Sequence, residues 1–217
     1  MKVLKDYDLN ILSDYVKNNT FAPEGNRAWI GDFGEVLCTT ILRDYDNDII
    51  PVYKLRSREK QDWPMRLTDI LTYKTENGTI ILKFSEVKTR TKSKECHAPK
   101  AYEKLQKEMK DSKPEVLDFI QRRLLDEGKY DQADLFMKIY FGKIKPKKHS
   151  ILFLVYEKPL WDERILINLN KVFDKKDLHN FEVRVIRISE LRKLIRSSYE
   201  CAKNPETLKE LFEHGKK

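Results

Sequence analysis

Residues 79–91 read TIILKFSEVKTRT, and the interpretation of the whole sequence starts from this stretch. Its alternation predicts a β-strand with three apolar side chains on one face: Ile80, Leu82 and Phe84. The same alternation places Glu86 and Lys88 on that face, at the end of the strand. Burying a charge is costly unless it is paired or binds a metal ion. We therefore expect another side chain to meet this acid and this base.

A second strand is predicted directly upstream, at Leu67–Tyr73. The Asn77-Gly78 dipeptide between the two apolar runs is a strong signal for a tight hairpin turn, so the strands are expected to pair antiparallel. In the upstream strand, Asp69 shares a face with three apolar residues, Leu67, Leu71 and Tyr73. The hairpin thus supplies Asp69 as the expected partner of Glu86.

Upstream of the hairpin, apolar residues at helical spacing predict a helix from about Trp29 to Tyr45. Four residues are expected to form its core-facing stripe: Val36, Leu37, Thr40 and Ile41. Glu35 lies beside that stripe, on the flank shared with Cys38 and Leu42. A strand is predicted between helix and hairpin, at Ile49–Leu55.

Downstream of the hairpin, helices and strands follow each other. The predicted helices are Pro99–Asp111, Pro114–Gly128 and Tyr130–Phe141, and the predicted strands are Ile151–Tyr156, Arg164–Leu169 and Glu182–Ile188. Ser189 is expected to cap a helix with Leu191, Leu194 and Ile195 facing inward, and Asn204 to begin a last helix through Phe212. This order predicts an α/β fold with a mixed central sheet, whose strand order the sequence does not give.

The 217 residues carry a formal net charge of +8. Clustered Lys and Arg bind polyanions by releasing counterions from phosphates, so this charge favours a nucleic-acid partner. The three cysteines are far apart and show no CxxC spacing, which fits a reducing compartment and gives no zinc motif. The N-terminus lacks a signal-peptide pattern, and the longest apolar run, Ile151–Tyr156, is too short to span a bilayer. We expect a cytoplasmic protein without a membrane partner.

Carboxylates on paired strands can face each other and offer oxygen ligands to a hard cation such as Mg²⁺. Asp69 and Glu86 are the candidates, and Glu35 is expected to add an oxygen through a water molecule. Phosphodiester hydrolysis uses such a site, in which the metal ion polarises the phosphoryl group. Lys88 would orient or help deprotonate the attacking water. The alternative is structural: Glu86 and Lys88 as a surface ion pair, with Asp69 and Glu35 as ordinary structural or exposed acids.

The order Glu35, Asp69, Glu86-Val87-Lys88 resembles the PD-(D/E)xK nuclease superfamily. A narrower resemblance covers about Trp29–Ile195. Here four sequence blocks and the late strand FEVRVIRI resemble the nuclease-like subunits of the Hachiman anti-phage defence system. The four blocks are GDFGEVL, IPVYKLR, LTDIL and SEVKTR. Thr68 stands where the superfamily has proline, so the literal PD dipeptide is missing.

The resemblance implies a restriction-endonuclease-like core in residues 29–200, with a helical insertion at about 99–142. An N-terminal helical extension (1–28) and a C-terminal helix (201–217) would flank this core. The resemblance also implies Mg²⁺ or Mn²⁺ bound by Asp69, Glu86 and the main-chain carbonyl of Val87. By the same resemblance, Glu35 would be the helix acid and Lys88 the catalytic lysine.

Residues 88–113 contain nine Lys or Arg and four Asp or Glu, which predicts a phosphate-binding track near the site. Arg90, Lys92 and Lys94 are the candidate DNA contacts, and the alternative is a solvated helix face. Tyr102 and Gln106 share a helical face and are candidates for supporting the site.

The leading prediction is therefore a Mg²⁺-dependent deoxyribonuclease, and the resemblance implies an effector subunit that works with a separately encoded helicase. No GxxxxGK[ST] phosphate loop occurs in the 217 residues. Two alternatives remain open: a catalytically silent nuclease-fold subunit that binds DNA, and a scaffold for the helicase. The sequence leaves open whether the substrate is DNA or RNA, whether cleavage is endo- or exonucleolytic, what triggers activity, and the oligomeric state.

Overall fold

The computed structural model describes residues 27–53, 68–92, 97–111, 114–172, 180–204 and 206–207. Within these ranges the chain forms six α-helices, four β-strands and a 3₁₀ turn at Lys158–Leu160. Helices and strands follow in the order α1 (Arg27–Asp44), β1 (Ile70–Glu76), β2 (Thr79–Arg90), α2 (Ala98–Lys110), α3 (Glu115–Asp126), α4 (Tyr130–Tyr140), β3 (Lys147–Glu157), α5 (Arg164–Asn170), β4 (Phe181–Ile188) and α6 (Leu191–Lys203).

The hairpin predicted from its Asn-Gly turn is confirmed. Asn77 and Gly78 have φ angles of 49° and 74°. These left-handed values are those of a type I′ turn, which Asn and Gly adopt at low cost. The antiparallel register runs from this turn to Ile70 opposite Ser85. Because side chains alternate along a strand, the register decides which residues of β1 and β2 share a face.

The four strands form one mixed sheet in the order β1-β2-β3-β4. β1 and β2 are antiparallel, whereas β2 with β3 and β3 with β4 are parallel. Helices α2, α3, α4 and α5 contribute to the core on one face of the sheet, and α1 and α6 to the core on the other. The predicted α/β fold with a mixed sheet flanked by helices is confirmed.

The strand predicted at Ile49–Leu55 is wrong over its described part. Residues 49–53 contribute a single bridge, between Ile49 and Tyr73 of β1. Pro51 follows two residues later and has no N–H with which to extend a ladder. Residues 49–53 therefore join the sheet through one bridge instead of forming a further strand.

The strand predicted at Arg164–Leu169 is also wrong, because this segment is helix α5. Ile165 and Leu169 are both buried, and their i, i+4 spacing is that of one helical face. Asp162 Oδ1 accepts the N–H of Arg164 at 2.9 Å at the start of the helix. A short apolar run is compatible with the two-residue period of a strand and with the 3.6-residue period of a helix, and this segment is helical.

The buried face of α1 differs from the predicted stripe. Val36 is 54% exposed, whereas Cys38 and Leu42 are fully buried. Gly34, one turn before Cys38, is also buried and packs against β2. Glu35 consequently borders the buried face of the helix.

Helix α6 is capped from a distant strand, and the prediction that Ser189 caps it is wrong. The carboxylate of Glu157, at the end of β3, accepts the N–H groups of Leu191 and Arg192, each at 3.1 Å. An acidic side chain at this position also suits the positive end of the helix dipole. Leu191 and Ile195 are buried as predicted, but Leu194 is 43% exposed.

The predicted domain boundaries stay predictions. Of the N-terminal extension (1–28), residues 1–26 lie outside the described residues. Asn204 Oδ1 accepts the N–H of Glu206 at 2.9 Å, as expected of a helix cap. Residues 205 and 208–212 of the predicted last helix lie outside the described residues.

A buried ion network ties the segment after α1 to the sheet. Lys83 Nζ on β2 lies 2.8 Å from Asp48 Oδ1 and 3.3 Å from Asp46 Oδ2. Thr72 on β1 donates its hydroxyl to Asp48 Oδ2 at 2.8 Å, and Arg184 on β4 lies 2.7 Å from Asp46 Oδ2. Three strands thus hold this segment through its two carboxylates.

We expect part of this network to weaken in acid. Burial would raise the pKa of Asp46, but hydrogen bonds and charge from Arg184 and Lys83 outweigh it and hold the pKa below its ordinary value. A lowered pKa contributes stability that is complete above the unfolded value of about 4 and is lost as pH falls through the folded pKa. Urea unfolding at a series of pH values should therefore show a steeper acid loss in the wild type than in Arg184→Met.

Arg187→Met is the matched control, because Arg187 lies on the same strand and is exposed. Its stability should depend on pH as that of the wild type does. An Arg184→Met protein with an unchanged acid dependence would contradict this assignment.

Candidate functional site

The end of the hairpin brings two carboxylates to one place. Ile70 pairs with Ser85, so the next positions along the two strands are Asp69 and Glu86. Asp69 Oδ2 accepts the N–H of Val87 at 2.8 Å. This hydrogen bond holds the Asp69 side chain against β2, where the ladder between the two strands ends.

Both oxygens of Glu86 are bound by lysines. Lys88 Nζ lies 2.6 Å from Glu86 Oε1, and Lys104 Nζ lies 2.6 Å from Glu86 Oε2. Lys104 Nζ is also 3.7 Å from Asp69 Oδ1. The Glu86 side chain is only 4% exposed. Two acids and two bases therefore form one charge-balanced cluster at the end of β2, where a charge without a partner would be costly.

The sequence analysis missed Lys104. Ala98, Ala101, Tyr102 and Leu105 form the buried side of α2, and Lys104 extends from a flank of that side. Burial would lower the pKa of Lys104, but Asp69 and Glu86 raise it above its ordinary value, so the residue is an ammonium at neutral pH. Lysines at 100, 104 and 107 share one side of the helix by spacing, but the spacing alone does not indicate which one reaches the sheet.

Glu35 lies on the other side of this region, on α1. Glu35 and Asp69 both line a cavity of about 310 Å³ between α1, the start of β1 and α3. Burial raises the pKa of the Cys38 thiol strongly, and the charges of Asp69 and Glu35 raise it further. Both acids are therefore within electrostatic reach of Cys38. The structure thus places Glu35 and Asp69 on the lining of one cavity, while the ion pairs with Glu86 come from lysines.

The two carboxylates suit a hard divalent cation. Mg²⁺ is commonly held by one or two carboxylates together with water and substrate phosphates. Asp69 and Glu86 supply such oxygens, and the ammonium of Lys104 between them shows that their geometry already holds a cation. Among the residues that the structure describes, no group of three or more His, Cys, Asp or Glu is placed to hold a metal ion. Glu35 thus does not complete a direct three-carboxylate site.

The sequence profile of the HamA family matches residues 4–202 of the chain, which is most of its length. The chain belongs to the HamA family. This membership confirms the resemblance to Hachiman defence proteins that the four sequence blocks indicated. No curated protein matches the chain. In the described part of this HamA family member, no helix is long and apolar enough to cross a membrane.

The candidate DNA contacts of this HamA family member follow the site along β2. Arg90 is half-buried, and its Nη1 donates to the carbonyl of Thr89 at 3.0 Å. It lies two residues beyond Lys88 and so on the same face of the strand. Lys92 is exposed, and Lys94 lies outside the described residues. A contact with DNA stays a prediction for all three.

Tyr102 and Gln106 were predicted to support the site from α2. Tyr102 is buried, with its ring centroid 5.0 Å from that of Phe181 on β4. At 100° per residue, Tyr102 and Lys104 lie about 200° apart around the helix. Gln106 is half-buried on the Tyr102 side. The side chain that α2 brings to Glu86 is therefore Lys104.

Proposed function

We propose that this HamA family member is a metal-dependent nuclease that hydrolyses phosphodiester bonds of DNA within a Hachiman defence complex. The observation that carries the proposal is the convergence of Asp69, Glu86 and Lys88 at the end of the β1–β2 hairpin. An ordinary surface ion pair would need neither the burial of Glu86 nor a second carboxylate beside it. Membership of the HamA family supports the defence role.

Asp69 and Glu86 would hold Mg²⁺, or Mn²⁺ in its place, together with the main-chain carbonyl of Val87. The bound ion would polarise the phosphoryl group and neutralise charge that develops on its oxygens. Asp69 is positioned for this role by the hydrogen bond from Val87 to its Oδ2. Its other oxygen, Oδ1, lies 3.7 Å from Lys104 Nζ, which also binds Glu86. Glu35, across the cavity, would contribute through a water molecule.

Lys88 acts on the attacking water in this proposal. Its ammonium lies 2.6 Å from Glu86 Oε1 and its side chain is 24% exposed, so it has both a fixed partner and access to solvent. From this position Lys88 orients the water and adds positive charge near the phosphate. Arg90 and the exposed Lys92 would hold flanking phosphates, because a guanidinium can form two parallel hydrogen bonds with phosphate oxygens.

The helicase partner belongs to the same proposal. The chain has no Walker-type phosphate loop in its 217 residues, so unwinding driven by ATP would come from a separate subunit. A helicase would deliver DNA to a nuclease whose basic surface binds the backbone without reading sequence. Membership of the HamA family favours a partner of this kind.

The test is cleavage of plasmid and linear DNA, with and without a helicase partner, in Mg²⁺ and in EDTA. We expect Mg²⁺-dependent cleavage by the wild type and no cleavage in EDTA. Lys88→Met should reduce the rate about a hundredfold, because general acid–base and water-orienting groups contribute at least that much. Glu86→Gln should remove cleavage altogether.

Lys129→Met is the matched control for charge. Lys129 forms an exposed ion pair with Glu127 at the turn between α3 and α4, so its loss should leave the rate unchanged. Circular dichroism and thermal unfolding should be measured for each variant to check that it is folded. Equal cleavage by the wild type and by a folded Glu86→Gln protein would refute the proposed site.

A further inference from the structure

Lys104 Nζ stands between the two carboxylates that the proposed function assigns to metal binding. It lies 2.6 Å from Glu86 Oε2 and 3.7 Å from Asp69 Oδ1. Lys88 binds the other oxygen of Glu86 and makes no ion pair with Asp69 among the described residues. Lys104 is therefore the lysine that lies within ion-pair distance of both carboxylates.

The position of Lys104 is built into the fold. The buried side of α2 packs on β2 and β3, which fixes the helix against the strand that carries Glu86. Lys100 and Lys107 lie about 6 and 4.5 Å from Lys104 along the helix axis, on the same side. Both are exposed, whereas Lys104 is half-buried. Of these three lysines, α2 directs Lys104 into the carboxylate pair.

An ammonium and a divalent cation cannot share this position. They repel each other, and both would draw on the carboxylates of Glu86 and Asp69, which Lys104 already contacts. At about 4 Å, charge repulsion at a partly exposed site is worth roughly a factor of ten or more in affinity. The Lys104 side chain is 36% exposed, so its flexible stem has an open path to solvent when the oxygens are needed elsewhere.

We propose that Lys104 is the resident counter-cation of the Asp69–Glu86 pair and that it competes with the divalent metal ion for these carboxylates. This inference rests on the proposed function. Lys104 holds the two carboxylates together when no metal ion is bound, and with Lys88 it balances their two negative charges. Metal loading then requires Lys104 to withdraw, which makes this residue a determinant of the metal affinity of the site.

Binding of Mn²⁺ to the full-length chain, measured as the loss of free Mn²⁺ signal in electron paramagnetic resonance, tests the proposal. Lys104→Gln keeps a hydrogen-bond donor but has no charge, and we expect it to bind Mn²⁺ about tenfold more tightly than the wild type. Lys104→Met is a second neutral variant and should behave in the same way. Lys104→Arg, which retains the charge, should bind Mn²⁺ with wild-type affinity.

Lys100→Gln is the matched control, because it removes the same charge one helical turn away and should leave the affinity unchanged. A merely structural role for Lys104 would weaken metal binding on substitution, so the direction of the change is decisive. If the wild type binds Mn²⁺ and both neutral variants bind it equally or more weakly, the competition by Lys104 is overturned, but the proposed metal dependence is not. Absence of Mn²⁺ binding from the wild type and all variants would overturn the proposed metal dependence as well.

Discussion

Lys83→Met is expected to lower the free energy of unfolding by about 3–5 kcal/mol, because it leaves a buried carboxylate without its charge partner. Lys83 and Asp48 are 5% and 3% exposed. Their 2.8 Å ion pair is therefore shielded from water. Methionine fills a similar volume, so the expected loss reflects the charge of Asp48 and not a cavity.

Chemical denaturation of the wild type and of Lys83→Met measures this loss. Lys74→Met is the control, because Lys74 pairs with the exposed Glu76 on the same hairpin, and exposed pairs contribute no more than about 1 kcal/mol. In a double-mutant cycle with Asp48→Asn, the combined loss should be smaller than the sum of the single losses. If the free energy of unfolding of Lys83→Met lies within about 1 kcal/mol of the wild-type value, the charge of Lys83 does not stabilise the fold by compensating buried Asp48.

The Asp69–Glu86 pair depends on residues that are close together in the chain, whereas the network around Lys83 and Asp48 joins residues that are far apart in it. An Asn-Gly turn fixes the register of β1 against β2, and the alternation of side chains then places Asp69 beside Glu86. Both steps depend on residues close together in the chain. The sequence therefore predicted this pair, although its catalytic role stays a prediction.

Contacts between elements that are joined by the long connections of the parallel strands could not be predicted in the same way. Lys104 reaches Glu86 only because α2 packs on β2 and β3, and Arg184 reaches Asp46 only because β4 is the edge strand beside β3. The order of parallel strands depends on long connections, which carry no local register signal. The buried stripe of α1 was predicted wrongly for the same reason. Which side of this helix is buried depends on the close contact of Gly34 with β2, which lies far away in the sequence.

Gly34 sets the distance between α1 and β2. A Cβ atom at this position would lie 1.9 Å from Thr89 Oγ1 and 3.1 Å from Val87 Cγ1. Real Cβ atoms do not approach other atoms so closely, so a larger residue forces a shift, and we expect the helix to move away from the strand. Glu35 follows Gly34 directly and would move with it, away from Asp69 across the shared cavity.

Gly34→Ala should therefore lower the free energy of unfolding by about 3 kcal/mol, at the upper end of the usual cost of overpacking. Gly31→Ala is the matched control in the same helix, because nothing lies within 4 Å of its Cβ position. There the alanine should stabilise the protein by about 0.5–1 kcal/mol through its higher helix propensity.

The second substitution Thr89→Ala removes the closest atom, since its hydroxyl has no hydrogen-bond partner among the described residues. It should restore most of the stability lost in Gly34→Ala, and chemical denaturation of the four proteins in the cycle gives the coupling energy. Additive effects of the two substitutions would mean that the contact does not set the packing distance. If the double variant recovers both stability and cleavage activity, the distance between α1 and β2 controls the position of Glu35 as well as the packing.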